Sequence, residues 1–134
     1  MPSIEPVALV VDDNPIIFMD ACQILEDAGF RCHEAGTGDE AIQVIEKAAD
    51  GVTLLFTDVE MPGGTNGFQL AFIVAERWPG IEIVVASGRI RPGAGDMPEK
   101  ATSIGKPFSA QFVHDHLREK LPDRKKPEPL KTPA

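Results

Sequence analysis

Short apolar runs alternate along the chain with longer segments in which apolar residues recur at helical spacing. The runs Val7–Val11, Val52–Phe56 and Ile81–Ala86 are almost entirely apolar, which is typical of strands buried on both faces of a parallel sheet. Phe30–Ala35 is half polar and Ala101–Gly105 is short, and we interpret both as further strands. The pattern therefore predicts five strands with amphipathic segments between them.

Those amphipathic segments carry the residues that begin and end helices. Asn14 and Pro15 suit an N-cap and a first helical position, and Gly29 suits the end of the same helix. Thr37 with Glu40 three residues later has the pattern of a capping box before the second helix. We predict two further helices, at about 68–78 and 109–121.

The stretch from Arg89 to Lys100 departs from this regular alternation. It contains Pro92, Gly93 and Pro98, so that the helix expected between the last two strands is shortened or irregular. Strands that alternate with helices predict an α/β fold, in which a doubly wound, five-stranded parallel sheet is covered on both faces. We assign residues 1–121 to this domain and expect 122–134, rich in Pro and Lys, to be a disordered tail.

The composition and charge of the chain exclude some classes of function. The chain has 134 residues, 43% hydrophobic and 25% charged, which suits one globular domain. Its net charge of −8 argues against a nucleic-acid surface, which needs clustered Lys and Arg. We expect a cytoplasmic protein without membrane contact, because neither a signal sequence nor an apolar run of spanning length is visible. The two cysteines do not indicate a disulfide framework.

Reactive side chains follow the predicted strands. Asp12 and Asp13 follow the first, Asp58 the third, Ser87 the fourth and Lys106 the fifth. In open parallel sheets, ligands bind outside the carboxyl ends of the strands, so these groups should converge. Carboxylates that lie close together repel each other unless a cation compensates them, and Mg²⁺ prefers oxygen ligands of this kind.

This set of residues resembles the receiver domain of two-component response regulators. The matching features are the acidic pair Asp12 and Asp13, Asp58 followed by Met61-Pro62 and Gly67, Ser87, and Lys106-Pro107. The resemblance covers about residues 7–121 and implies a flavodoxin-like fold with strand order 2-1-3-4-5. It also implies a single-domain response regulator that signals by protein contacts or acts as a phosphate relay or sink.

The resemblance implies a role for each site residue. Asp58 would take a phosphoryl group from a phosphohistidine of a sensor histidine kinase or a histidine phosphotransfer protein, forming 4-aspartylphosphate. Asp12, Asp13, Asp58 and the backbone carbonyl of Glu60 would hold Mg²⁺ or Mn²⁺. Ser87 and Lys106 would contact the phosphoryl group, and the bond between Lys106 and Pro107 would be cis. The downstream protein target is not indicated.

We expect three positions to modulate this chemistry: Arg89, Pro107 and Ser103. Ser103 stands where receivers usually carry Tyr or Phe, so that the usual coupling between phosphorylation and that aromatic ring is absent. Glu60 and Arg89 follow Asp58 and Ser87 by two residues, and we expect them beside the mouth of the site. An ion pair between them would limit water access to the acyl phosphate, or it would be an ordinary surface pair worth under ~1 kcal/mol.

Other functions compete with this interpretation. A pseudo-receiver, a protein-binding module that no longer uses phosphorylation, is the main alternative. Ser103 keeps this alternative open, whereas the complete site argues against it: Asp12, Asp13, Asp58, Ser87 and Lys106. An aspartyl-phosphate hydrolase would need D-x-D after the first strand, where this chain has Asp12-Asp13-Asn14. A flavin-binding electron carrier would need a hydroxyl-rich phosphate loop at the same place. We therefore expect a phospho-accepting switch rather than an enzyme, with self-catalysed phosphorylation and dephosphorylation.

Overall fold

The computed structural model describes residues 6–48, 51–59, 65–88, 93, 95–106 and 108–122. This part of the chain forms five strands and four helices, which alternate except between the last two strands. In chain order they are β1 (Val7–Val11), α1 (Pro15–Asp27), β2 (Arg31–Ala35), α2 (Gly38–Ala48), β3 (Val52–Asp58), α3 (Gly67–Arg77), β4 (Glu82–Ser87), β5 (Thr102–Gly105) and α4 (Ala110–Lys120).

The strands form one parallel sheet in the order β2-β1-β3-β4-β5. The predicted α/β class, the doubly wound sheet and the order 2-1-3-4-5 are confirmed. The central strands are apolar because they are covered on both faces, and all but the first residue of β1 is buried. The edge strands β2 and β5 are shorter or more polar, which suits strands with one open edge.

Alternate residues of each strand contribute to two apolar clusters, one on either face of the sheet. Ala8 and Val10 of β1 pack with residues of α1 and α4, including Leu25 and Leu117. Leu9 and Val11 pack with residues of α2 and α3. The result is a three-layer sandwich in which the carboxyl ends of all the strands lie at one edge.

Helix starts follow the predicted capping signals. The side chain of Asn14 accepts hydrogen bonds from the backbone N–H groups of Ile16 and Ile17, and Thr37 Oγ1 accepts one from Glu40 N at 3.1 Å. Helix α1 ends before Gly29, whose φ of 106° lies in the left-handed region that glycine adopts readily.

The described residues between β4 and β5 form no regular helix, in agreement with the prediction from the sequence. These residues, 88, 93 and 95–101, are turns, bends or residues without regular structure. Three of the predicted site residues, Glu60, Arg89 and Pro107, lie outside the described residues, as do the expected Glu60–Arg89 pair and residues 123–134 of the tail. None of the four helices, within the described ranges, is both long and apolar enough to cross a membrane.

Candidate functional site

One ammonium group lies between two buried carboxylates where β1, β3 and β5 end. Lys106 Nζ donates to Asp58 Oδ1 at 2.9 Å and to Asp12 Oδ2 at 3.3 Å. The exposed fractions of the side chains are 17% for Lys106, 10% for Asp58 and 5% for Asp12. Because the three groups are largely withdrawn from water, their charges interact more strongly than those of a surface ion pair.

A third carboxylate completes an acidic cluster. Asp12, Asp13 and Asp58 each offer one carboxylate oxygen, and these oxygens lie within 4.8 Å of one another. Asp13 is exposed, whereas Asp12 and Asp58 are buried. One lysine does not neutralise three carboxylates at this spacing. The donor set, which is all oxygen and open to solvent on one side, fits a hard divalent cation that keeps some of its water.

Strand register brings the first two carboxylates together. Val11 of β1 pairs with Thr57 of β3, so Asp12, the residue after β1, lies beside Asp58, the last residue of β3. Asp12 is held further by its backbone N–H, which donates to Ala35 O at 3.2 Å, and by its Oδ1, which accepts from Asn14 N at 2.9 Å. The residues that begin α1 therefore also orient one site carboxylate.

Asp58 is oriented by its own chain. Its Oδ1 accepts from Val59 N at 2.8 Å as well as from Lys106. The backbone N–H of Gly67, at the start of α3, donates to Val59 O at 2.9 Å, which closes the loop that follows Asp58. Val59 N and Lys106 Nζ thus donate to the same oxygen of the Asp58 carboxylate.

The remaining predicted site residues lie at β4 and β5. Ser87 ends β4 and is buried, and its backbone carbonyl accepts from Lys106 N at 2.8 Å. Ser103 is exposed on the edge strand β5. The structure therefore brings Ser87 to the edge where Lys106 lies, and it leaves the position of the usual aromatic residue occupied by a small, solvated side chain.

Burial and the neighbouring charges have opposing effects on the pKa values of Asp12 and Lys106. Burial raises the pKa of the Asp12 carboxyl, and the charge of Asp58 adds to this, although the hydrogen bond from Asn14 and the charge of Lys106 lower it in part. Burial alone would lower the pKa of Lys106, but its hydrogen bond and ion pair with Asp58, helped by Asp12, outweigh burial and raise that pKa. Lys106 is therefore a permanent cation at neutral pH.

A cleft that the sequence does not reveal lies beside the acidic pair. Its volume is about 320 Å³, and its walls come from the ends of β1 and β2 and the starts of α1 and α2. Asp12, Asp13, Phe18 and Glu40 are among its lining residues, whereas Asp58 and Lys106 are not. The cleft therefore borders Asp12 and Asp13 on the side of the sheet where β2 lies, and it does not include the Asp58–Lys106 pair.

Comparison with known proteins assigns a family to this geometry. The sequence model described as "Response regulator receiver domain" matches residues 8–117. The chain is 28% identical over 116 residues to the sensor kinase CckA of Brucella abortus and 33% identical over 112 residues to the nitrogen assimilation regulatory protein NtrX of Azorhizobium caulinodans. These matches cover 84% and 76% of this chain but only 12% and 23% of those relatives, so it corresponds to a small part of each.

Solved structures agree with the fold. A response regulator receiver protein from Sinorhizobium medicae is 26% identical, with a TM-score of 0.81 over 90% of this chain and 97% of that one. The chemotaxis protein CheY4 of Vibrio cholerae is 24% identical, with a TM-score of 0.75 over 87% of this chain and 99% of that one. The resemblance stated from the residues is therefore confirmed.

Proposed function

Because the chain belongs to the response regulator receiver domain family, we propose that it is a phosphorylation-controlled switch in which Asp58 accepts a phosphoryl group. The observation that carries the proposal is the Asp58 carboxylate itself, buried, held by Lys106 at 2.9 Å and adjacent to Asp12 and Asp13. Phosphoryl transfer depends mainly on positioning and on charge neutralisation, and this arrangement supplies both.

In the proposed reaction, a carboxylate oxygen of Asp58 attacks the phosphorus of a phosphohistidine. The P–N bond breaks, the imidazole leaves, and 4-aspartylphosphate forms. Oδ1 is already held by Lys106 and Val59 N, so we assign the attack to Oδ2. Lys106 offsets the negative charge that accumulates as the phosphoryl group arrives, and the Ser87 hydroxyl would donate to a phosphoryl oxygen.

The proposal includes a divalent cation, Mg²⁺ or Mn²⁺. Asp12, Asp13 and Asp58 would hold it, together with the backbone carbonyl of Glu60, which lies outside the described residues. When bound, such an ion would lower the repulsion between the carboxylates and the incoming phosphoryl oxygens. The all-oxygen donor set and its one exposed carboxylate support this choice.

The donor proposed is a sensor histidine kinase or a histidine phosphotransfer protein. The similar region of a sensor kinase, and a solved structure named as the receiver domain from hybrid histidine kinase CckA, support this partner class. The signal would leave through contacts with an unidentified protein, or the chain would act as a phosphate relay or sink. We propose that this exchange takes place in the cytoplasm.

The test is intact mass after incubation with Mg²⁺ and acetyl phosphate. We expect wild type to gain the mass of one phosphoryl group, and the gain to be lost with a chelator or in Asp58→Asn. Asp20→Asn, which removes an exposed carboxylate of α1, is the matched control and should gain as wild type does. Equal gain in Asp58→Asn would contradict the assignment of the acceptor.

One observation favours a second candidate function, a pseudo-receiver that binds a partner without phosphorylation. Ser103 is exposed on β5 where the family usually has an aromatic ring, so the usual inward rotation of a ring cannot occur at this position. If neither acetyl phosphate nor a phosphorylated kinase modifies wild type, this second function replaces the first.

A further inference from the structure

The two cysteines of the chain meet outside the carboxylate site. Cys22 lies on α1 and Cys32 on β2, and the sequence contains two cysteines in total. The thiol of Cys32 donates to the backbone carbonyl of Cys22, with Sγ 3.5 Å from that oxygen, and the two thiols are near enough to shift each other's pKa. Both are free thiols, and both residues are only partly buried.

The backbone holds this pair together. Helix α1 and strand β2 are joined by a tight turn in which Phe30 N donates to Leu25 O at 3.0 Å and Gly29 adopts a φ of 106°. Cys32 is paired with Ala8 of β1 in the sheet, and both cysteines pack against the apolar cluster beneath α1. The contact of Cys32 Sγ with the backbone of Cys22 therefore comes from an ordered supersecondary unit.

The two thiols differ in their readiness to ionise. The neighbouring Cys32 thiol lowers the pKa of Cys22, although burial and the nearby carboxylates of Glu26 and Glu34 oppose this. The Cys22 thiol and burial raise the pKa of Cys32. Because the thiolate is the nucleophile in thiol–disulfide exchange, Cys22 is the side chain that attacks first.

We propose that Cys22 and Cys32 form a redox-responsive dithiol site, which low-molecular-weight disulfides oxidise reversibly to an intramolecular disulfide between α1 and β2. The thiolate of Cys22 attacks one sulfur of the reagent, the reagent's S–S bond breaks, and one thiol leaves with a proton from solvent. Cys32 then loses its proton, attacks the Cys22 sulfur and releases the second thiol. Two protein thiols are oxidised while one disulfide is reduced to two thiols, so atoms and electrons balance.

The reagent that suits this site is uncharged or cationic. Glu26 and Glu34 give the surroundings of Cys22 a negative potential, which disfavours an anionic disulfide such as that of glutathione. The test therefore uses 2-hydroxyethyl disulfide, which is neutral. It does not depend on phosphorylation, so its result and that of the proposed function are independent.

The experiment follows intact mass of the reduced, folded full chain during exposure to this reagent. Wild type should lose the mass of two hydrogen atoms and both free thiols, and dithiothreitol should restore them. Cys32→Ser should stop at a mixed disulfide on Cys22. Cys22→Ser should react more slowly than Cys32→Ser, because the thiol that remains has the higher pKa and less of it is thiolate. A wild type that stays reduced until it is denatured, or that ends as mixed disulfides or covalent dimers, would overturn the proposal.

A second readout does not depend on exchange kinetics. Phenylarsine oxide bridges two thiols that lie within bonding reach of one arsenic atom. Folded wild type should bind one equivalent that survives added monothiol, and either single serine variant should release it at least about tenfold faster, because one As–S bond has lost its partner. Equal retention by wild type and the two variants would show that the thiols act separately and would overturn the proposal.

Discussion

The backbone of Gly67 lies against the backbone of Asp58. A Cβ atom placed at position 67 would stand 2.0 Å from Asp58 O and 2.8 Å from Val59 Cα. These are backbone atoms, so no rotation of a side chain can relieve the overlap. Since Gly67 also begins α3 and donates to Val59 O, the absence of a side chain there lets α3 approach the strand end that carries the acceptor.

Gly67→Ala is therefore expected to displace Asp58 as well as destabilise the fold. We expect the free energy of unfolding to fall by about 3 kcal/mol, at the upper end of overpacking substitutions, and phosphorylation by acetyl phosphate to slow. Urea unfolding and intact-mass kinetics measure the two effects. Gly80→Ala is the control, because a Cβ at that position meets nothing within 4 Å. Equal stability of the two variants would contradict the close contact.

Lys106→Met removes the cation that separates Asp12 from Asp58. In the presence of a chelator we expect a loss of stability of about 1–3 kcal/mol, the cost of leaving a buried polar partner unsatisfied. The affinity for Mg²⁺ should rise by ~10-fold or more, because the ion no longer competes with an ammonium group. Urea unfolding and titration calorimetry test these changes. Unchanged Mg²⁺ affinity would show that the lysine does not share the carboxylates with the ion.

Asp12→Asn should act in the opposite direction. The pKa of Asp12 is raised above its ordinary value of 3.8 in the folded protein, so its contribution to stability is present below that value and is lost as pH rises through the folded pKa. At neutral pH without metal, the variant should be more stable by an amount on the order of 1 kcal/mol, and the difference should vanish below about pH 3.8.

The effect of added Mg²⁺ on stability provides the control for Asp12→Asn. Asn keeps an oxygen that can accept from Asn14 N but loses a charged ligand. Added Mg²⁺ should therefore stabilise wild type more than the variant and reduce or reverse the difference between them. A variant that is less stable than wild type in chelator at neutral pH would contradict the idea that the cost of burying the Asp12 charge outweighs its ion pair with Lys106.

His116 provides a pH dependence away from the carboxylates. Burial lowers its pKa, the charge of Lys120 lowers it further, and Glu119 opposes this in part. Its Nε2 lies 2.8 Å from Thr102 Oγ1, which joins α4 to β5. Because the pKa of His116 in the folded protein lies below 6.5, the unfolded chain takes up a proton at a higher pH than the folded chain does. The contribution of His116 to stability is therefore present above pH 6.5 and is lost as pH falls through the folded pKa.

His116→Gln should therefore flatten the decline in stability between about pH 7.5 and about pH 5. The measurement is the urea midpoint at several pH values in that window. His33→Gln, on the exposed side of β2, is the matched control and should keep the wild-type slope. If His116→Gln shows the same decline as wild type, another group is responsible for it.

Helix and strand boundaries show how far local sequence signals reach. The caps Asn14 and Thr37 and the end at Gly29 were predicted from residues within one helical turn, and the structure has them. Helix α3 begins at Gly67, one residue earlier than predicted, because Asn66 and Gln69 form a capping box that the sequence analysis did not identify. Strand β3 ends at Asp58, as predicted, and Asp58 pairs with Ala86 of β4.

Some properties of the site could be predicted from the sequence, and others could not. The positions of Asp12, Asp58 and Lys106 after strands were visible in the sequence, and their convergence followed from the geometry of parallel sheets. The strand order came from the family resemblance. The roles of these residues, the single-domain arrangement and the disordered tail stay predictions, and so do the expectations at Glu60, Arg89 and Pro107.

By itself, the sequence determined the α/β class, the number of strands and the residues that follow them, because hydrophobic periodicity and capping act between neighbours in the chain. Tertiary structure alone decided which oxygen of Asp58 meets Lys106, how closely Gly67 approaches Asp58 and that Cys22 meets Cys32. Those contacts depend on strand register, loop closure and helix packing. They therefore form between groups whose separation is set by the whole fold rather than by their local sequence.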